Sequence, residues 1–249
     1  MATLQRTTTV AAFIASPILF VVAIGVAILA TRSLALSAVN ADLFDLAASI
    51  ERQTVPDADY LARFVADKGL DRASVDCGES FTRASLTVNL AALDAATKTV
   101  DVPLSDAAER NAIRAAEHRL ACNPLDGNAW LRYAMVENKA KGPVESVVDA
   151  LRASYWTAPS EGWIIESRLP FATNLVLAGV GGFETEYVDD LRRFAAFETT
   201  SRVAAAYVAL PPPVRQRMRP LIDGQPERRK KAILAEIDRL GLDYERDAS

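Results

Sequence analysis

The feature that most constrains this chain is an uncharged apolar run, VAAFIASPILFVVAIGVAILA, at residues 10–30. A helix rises about 1.5 Å per residue, so a run of this length matches the roughly 30 Å hydrocarbon core of a bilayer. Pro17 and Gly25 are compatible with this assignment, because both residue types are tolerated in membrane helices. The run predicts a transmembrane helix over residues 10–30. A cleaved signal peptide is the alternative, although its apolar region usually spans only about 7 to 15 residues.

The charges beside this run indicate its orientation. Arg6 and the amino terminus precede the run and Arg32 follows it. Positive charge tends to remain on the cytoplasmic side, so residues 1–9 are predicted to form a short cytoplasmic tail. The bulk of the chain then lies across the membrane, which in a bacterium is the periplasm. We therefore predict a single-pass inner-membrane protein, and the opposite orientation, with the domain in the cytoplasm, is the alternative.

Composition limits the classes of ligand that the rest of the chain can bind. Half of the residues are hydrophobic and 24% are charged, which is typical of a folded protein. A formal net charge of −4 argues against a nucleic-acid partner. One histidine, His118, and two cysteines offer few metal ligands, and no HExxH or CxxC motif is present. The sequence therefore predicts no nucleic acid, no metal site and no cofactor.

Beyond residue 31 the apolar periodicity is helical, with no alternating strand pattern. We predict an all-α fold in which the transmembrane helix is followed by an antiparallel helical-hairpin domain. Residues 31–55 are assigned to a juxtamembrane helix or linker, and residues 56–249 to the extracytoplasmic domain. The predicted helix boundaries include a first helical position at Pro56, N-caps at Ser80 and Ser105, and one helix from about Glu186 to Leu210, ended by the prolines at 211–213.

The middle of the chain resembles tetratricopeptide repeats, which are helical hairpins with small residues inside and an aromatic residue opening the next hairpin. Three groups of residues carry the resemblance: Ala112, Ala116 and Pro124; Trp130, Tyr133 and Ala134; Val147, Leu151, Ser154 and Pro159. It covers about 55 residues, whereas such stacks normally need three or more repeats. The resemblance therefore implies one good repeat with degenerate neighbours, and a rigid helical surface suited to binding proteins.

A looser resemblance rests on three short segments together with the apolar run. The segments are DCGES at 76–80, ACNPLDGNAWL at 121–131 and APSEGW at 158–163. They are similar to segments of single-pass alphaproteobacterial proteins associated with exopolysaccharide loci. This resemblance implies a setting in polysaccharide synthesis or export, and no reaction. We therefore expect a membrane-anchored scaffold that binds a protein of an envelope complex; an envelope enzyme acting on glycans or thiols is the alternative.

Cys77 and Cys122 are the two cysteines of the chain. In an oxidising compartment such a pair predicts a disulfide, whereas a cytoplasmic domain would hold two free thiols. A third interpretation is a catalytic dyad, since His118 and Cys122 lie one helical turn apart. No third group that would orient the histidine is evident, so we predict a disulfide and no catalytic residues.

Two other regions offer candidate contact surfaces. Trp156 and Trp163 flank the APSEG turn and Arg168 follows it, and we assign these three residues to a candidate interaction surface. Packing in the core is nevertheless the interpretation we favour for both tryptophans, as it is for Trp130 and Tyr133. We interpret the basic clusters at residues 215–219 and 227–231 as a solvated helix face, and contact with anionic lipid headgroups or an anionic polysaccharide is the alternative.

Overall fold

The computed structural model describes residues 20–28, 31, 38–72 and 75–244. In these ranges every regular element is a helix and no strand occurs, so the predicted all-α class is confirmed. The tail at 1–9 lies outside the described residues, as do residues 10–19 and 29–30 of the predicted transmembrane helix. Residues 20–28 are helical. Across the described ranges, no helix has both the length and the apolar character needed to traverse a bilayer.

Helices follow one another along the chain from residue 41 onward. They are α1 Ala41–Glu51, α2 Ala58–Asp67, α3 Glu79–Ala96, α4 Val102–Cys122, α5 Gly127–Lys141, α6 Glu145–Thr157, α7 Gly162–Leu177, α8 Glu184–Phe197, α9 Thr200–Ala209, α10 Pro212–Asp223 and α11 Glu227–Arg239. From α3 to α6, each helix packs against the next one. Short turns join these helices, which makes sequential neighbours antiparallel.

The amino-terminal helices form a small core of their own. Leu43 of α1, Leu61 and Val65 of α2 and Val88 of α3 are buried together. Both α1 and α2 pack on α3. Helix α1 lies inside the segment at 31–55 that the sequence assigned to a juxtamembrane helix or linker, and it packs as part of the folded domain.

The helices from α5 onward share one larger apolar core. Its fully buried aromatic and long aliphatic side chains include Phe183, Tyr187, Tyr207, Met218 and Ile233. Helix α9 packs on α11, and α8 packs on both α7 and α10. The carboxyl-terminal helices therefore continue the same folded body that contains the candidate repeat.

Both predicted N-caps are wrong, and so is the first helical position predicted at Pro56, because α2 begins at Ala58 with Asp57 as its cap. Helix α4 begins at Val102, and the Asp101 side chain accepts a hydrogen bond of 3.0 Å from the backbone N–H of Leu104. The aspartate provides the cap that the sequence assigned to Ser105, and the proline that follows it is favoured in a first helical turn. Helix α3 begins at Glu79, one residue before the predicted cap at Ser80.

The helix predicted from Glu186 to Leu210 is divided into α8 and α9. Glu198 and Thr199 are extended between them, and the hydroxyl oxygen of Thr199 accepts a hydrogen bond from the backbone N–H of Arg202. A threonine inside an apolar pattern therefore acts as an N-cap. The prolines at 211–213 end α9 as predicted, and they also begin α10, because proline suits the first turn of a helix.

Candidate functional site

A disulfide joins Cys77 to Cys122, which confirms the predicted pairing. It ties the loop before α3 to the last residue of α4, with the two Cα atoms 5.3 Å apart. The Nε2 atom of His118 lies 3.6 Å from the Sγ atom of Cys122, as expected for residues one helical turn apart. The Cys122 sulfur is bonded to Cys77, so it is not a free nucleophile beside this histidine.

Arg119 joins three helices beside the disulfide. Its side chain is buried, and its Nε donates a hydrogen bond of 2.7 Å to the carboxylate of Asp126. Its Nη1 donates to the hydroxyl oxygen of Thr82 at 2.8 Å and to the backbone oxygen of Glu79 at 3.1 Å. These bonds fix the start of α3 and the end of α4 against the turn that leads into α5. Together with the disulfide, they identify residues 122–133 as a structural corner.

The corner also positions the start of α5. Asp126 caps that helix by accepting a hydrogen bond of 3.0 Å from the backbone N–H of Ala129. The indole N–H of Trp130 donates to the backbone oxygen of Pro124 at 2.8 Å. The hydroxyl of Ser154, on α6, donates to the backbone oxygen of Gly127 at 2.8 Å. Each bond joins the turn to a helix, so the conformation of the turn is set from both sides.

Replacing Gly127 with alanine is expected to lower the free energy of unfolding by about 1 to 3 kcal/mol, the usual cost of overpacking. A β-carbon at Gly127 would collide with that of Ala158 and lie 3.1 Å from the Ala158 backbone nitrogen, which cannot move freely. Gly162→Ala is the matched control, since Gly162 also begins a helix and its added β-carbon would lie 3.4 Å from the Glu198 carboxylate. Urea unfolding followed by circular dichroism measures both variants, and equal stabilities would contradict the close packing.

An open groove of about 1160 Å³ runs past this corner. One wall is a face of α3 that includes Leu86, Thr87 and Leu90. Residues from the turns between α4 and α5 and between α6 and α7, from the first residues of α5 and α7, and from the segment at 50–58 also line it. The groove is therefore built from helix faces and inter-helix turns that the disulfide, Arg119 and Gly127 hold in place.

Two polar side chains of the groove lining, Asn128 and Arg132, have incomplete sets of hydrogen-bond partners among the described residues. The Oδ1 atom of Asn128 is buried without a hydrogen-bond partner among the described residues. Arg132 is half-buried, and within the same residues its guanidinium contacts the sulfur of Met135 at 4.0 Å and no carboxylate. Burial lowers the pKa of Arg132, and the charge of Asp94 opposes that shift. Both residues line the groove, although the Asn128 oxygen itself is buried in this conformation.

The two tryptophans of the candidate surface are both exposed, so the favoured interpretation that they pack in the core is wrong for each of them. Trp163 is 58% exposed and lines the groove. Trp156 is 74% exposed and lies outside the groove lining. Trp130 and Tyr133 are half-buried and pack against the apolar clusters, as predicted for them. The structure thus separates one groove tryptophan from one that faces elsewhere.

Arg168 does not belong to any surface, so its assignment to the interaction surface is wrong. It is 0% exposed, and its guanidinium forms two hydrogen bonds of 2.7 and 2.8 Å to the carboxylate of Asp190. It also donates to the backbone oxygens of Ser154 and Ala158, and it stacks on the ring of Tyr155. Burial raises the pKa of Asp190, and Arg168 opposes that shift. The arginine therefore ties α7 to α8 and to the end of α6.

Several residues of both basic clusters form hydrogen bonds or ion pairs within the chain. Arg219 lies over the ring of Tyr244 and donates a hydrogen bond of 2.5 Å to its backbone oxygen. Arg229 donates to the backbone oxygen of Ala195 at 2.8 Å. Lys230 pairs with Asp223 at 2.8 Å. These contacts hold α10 and α11 in the fold, which reduces the charge left for an anionic polysaccharide.

Sequence reasoning missed the groove and its polar groups, because its walls come from segments far apart in the chain. Asn128 and Arg132 show a recognisable i, i+4 spacing, but nothing in the sequence indicates that, among the described residues, the Asn128 oxygen has no hydrogen-bond donor and Arg132 contacts no carboxylate. The sequence predicted no metal site, whereas the structure brings the side chains of Cys77, His118 and Cys122 together.

Comparison of the chain with protein-family models, with curated proteins and with solved structures found no match.

Proposed function

We propose that this chain is a single-pass membrane protein whose helical domain, of tetratricopeptide type, is a periplasmic scaffold. Its groove binds a segment of a protein partner in an envelope complex for polysaccharide synthesis or export. The observation that carries the proposal is the groove itself, which combines exposed apolar side chains with Arg132, whose guanidinium contacts no carboxylate among the described residues.

A protein segment is the ligand class that suits these groove groups. Leu125 is 75% exposed and lines the groove with Trp163, so apolar side chains of a partner can be buried there. The main chain of a bound segment offers carbonyl acceptors for the Arg132 guanidinium, which lines the groove. A ligand with alternating polar and apolar groups therefore satisfies both kinds of surface at once.

The membrane anchor and the periplasmic placement have separate support. Residues 20–28 form a helix with exposed large apolar side chains, among them Phe20, Ile24 and Ile28. Such a surface is unfavourable in water and favourable in lipid. The disulfide between Cys77 and Cys122 supports an oxidising compartment, because cytosolic thiols are kept reduced. An anchored domain also raises the local concentration of the groove near other membrane components.

The groove is tested by site-specific photo-crosslinking in cells, with the full-length chain in its membrane. A photoreactive residue at Leu125 is expected to give one defined protein adduct, because Leu125 lines the groove. The same residue at Leu177 is the matched control, since this leucine is also exposed and lies outside the groove lining. Mass spectrometry of the Leu125 adduct then identifies the partner.

Two tryptophan substitutions make the test specific. Trp163→Ala is expected to weaken binding by about 2 kcal/mol or more, which is about thirtyfold, as for an aromatic residue at the centre of an interface. The Leu125 adduct should then be lost. Trp156→Ala removes an even more exposed tryptophan outside the groove, and the adduct should persist. Adducts from Leu125 that survive Trp163→Ala, or equal adducts from Leu125 and Leu177, would refute the proposal.

A further inference from the structure

Cys77, Cys122 and His118 gather three metal-ligating side chains at one point. The two Sγ atoms and one imidazole nitrogen all lie within 4.8 Å of one another. His118 is the single histidine of the chain, and the two cysteines are its full complement of thiol residues. We propose that these three residues form a redox-gated site for zinc, closed by the disulfide and opened by its reduction. The proposal stands independently of the groove.

The distance between His118 and Cys122 already fits a zinc site. Tetrahedral zinc with bonds of about 2.3 Å to sulfur and about 2.0 Å to nitrogen requires an S···N separation of roughly 3.5 Å. The Sγ atom of Cys122 and the Nε2 atom of His118 are 3.6 Å apart. Both lie on the last turns of α4, at i and i+4, so the helix holds the two ligands in place.

The third ligand has room to adjust. Two thiolates on one tetrahedral zinc stand roughly 3.8 Å apart, so the two sulfurs must separate after reduction. Cys77 is exposed and lies in residues 75–78, which have no regular secondary structure before α3. Its movement therefore needs no change in a helix, while Arg119 continues to hold α3 and α4 together through Glu79 and Thr82.

The chemistry of opening balances with a dithiol as reductant. The dithiol reduces the Cys77–Cys122 bond, yielding two thiols in the chain and one disulfide in the reductant. Zinc binding then displaces one proton from each thiol, and both protons go to solvent. Two thiolates and one imidazole give three protein ligands, which leaves a fourth position for water or an external donor. This ligand set suits zinc, whereas a disulfide offers no thiolate.

Cobalt(II) is the spectroscopic probe for this site, used on the full-length chain in detergent under anaerobic conditions. The chain reduced with dithiothreitol and freed of excess reductant is expected to bind one Co²⁺. Binding should give a thiolate-to-cobalt charge-transfer absorption and the intense visible bands of tetrahedral coordination. Added Zn²⁺ should abolish both signals, and the oxidised chain should show neither. A reduced chain that binds no Co²⁺, or an oxidised chain that binds it equally, overturns the proposal.

Two variants of the proposed ligands and one control variant at a neighbouring residue test which side chains bind the metal. His118→Gln keeps the disulfide, so its fold can be verified in the oxidised form, and it should weaken Co²⁺ binding at least about tenfold. Cys77→Ser should reduce the charge-transfer intensity. Glu117→Gln changes an exposed neighbour of the histidine and should leave both signals unchanged. A His118→Gln chain that binds as tightly as the parent assigns the metal to the thiolates alone and refutes the three-ligand site.

Discussion

Replacement of Asp190 with asparagine is expected to lower the free energy of unfolding by about 3 to 5 kcal/mol, the usual penalty for removing one partner of a buried ion pair. The substitution barely changes side-chain volume, so packing remains similar. It removes the charge that compensates Arg168, whose side chain is fully buried and donates two hydrogen bonds to that carboxylate. Urea unfolding of the full-length chain in detergent, followed by far-ultraviolet circular dichroism, measures the loss.

Asp189→Asn is the matched control, because Asp189 precedes Asp190 in α8 and pairs with Arg192 at the surface. An exposed pair of this kind contributes only about 0 to 1 kcal/mol. The large effect should therefore follow the burial of the carboxylate and not its position in the helix. If both asparagine variants unfold at the same urea concentration, the buried pair does not stabilise the junction of α6, α7 and α8.

Arg168 also shows why sequence alone misplaced a residue near the candidate surface. An arginine in a helix is ordinarily expected to face water, and only the buried acceptor groups around this one explain its burial. Asp190 lies 22 residues further along the chain, and the backbone oxygens of Ser154 and Ala158 come from the preceding helix and turn. No sequence pattern near Arg168 indicates that its partners lie so far away in the chain.

Features that depend on short stretches were more predictable. Helical periodicity indicated the all-α class, and the paired cysteines indicated the disulfide. Helix ends were harder to predict, because several neighbouring polar residues can each serve as the N-cap of the same helix. Asp101 rather than Ser105 caps α4, and Thr199 divides a continuous apolar pattern into α8 and α9. The groove depends on how separate turns and a helix face come together, which lies beyond what periodicity can indicate.

The second large effect is expected at the disulfide. Replacing both Cys77 and Cys122 with serine should lower the free energy of unfolding by up to about 4 kcal/mol, since the bond closes a loop of 45 residues. The effect comes mainly from the unfolded chain, which gains conformational freedom when the loop is opened. Helix content should change little, because Arg119 still joins α3 to the end of α4 and to Asp126.

A comparison of oxidised and reduced protein separates the bond from the serines. If the disulfide itself stabilises the domain, the reduced parent chain should unfold at nearly the same urea concentration as the double variant. The oxidised parent should unfold at a clearly higher one. Equal midpoints for the oxidised and reduced parent would contradict the predicted stabilisation. If the double variant is less stable than the reduced parent, part of the loss comes from the serine hydroxyl at position 122. Cys122 is half-buried beside His118, where a hydroxyl replaces the sulfur. These measurements are made with chelator present, so that zinc does not stabilise the reduced chain.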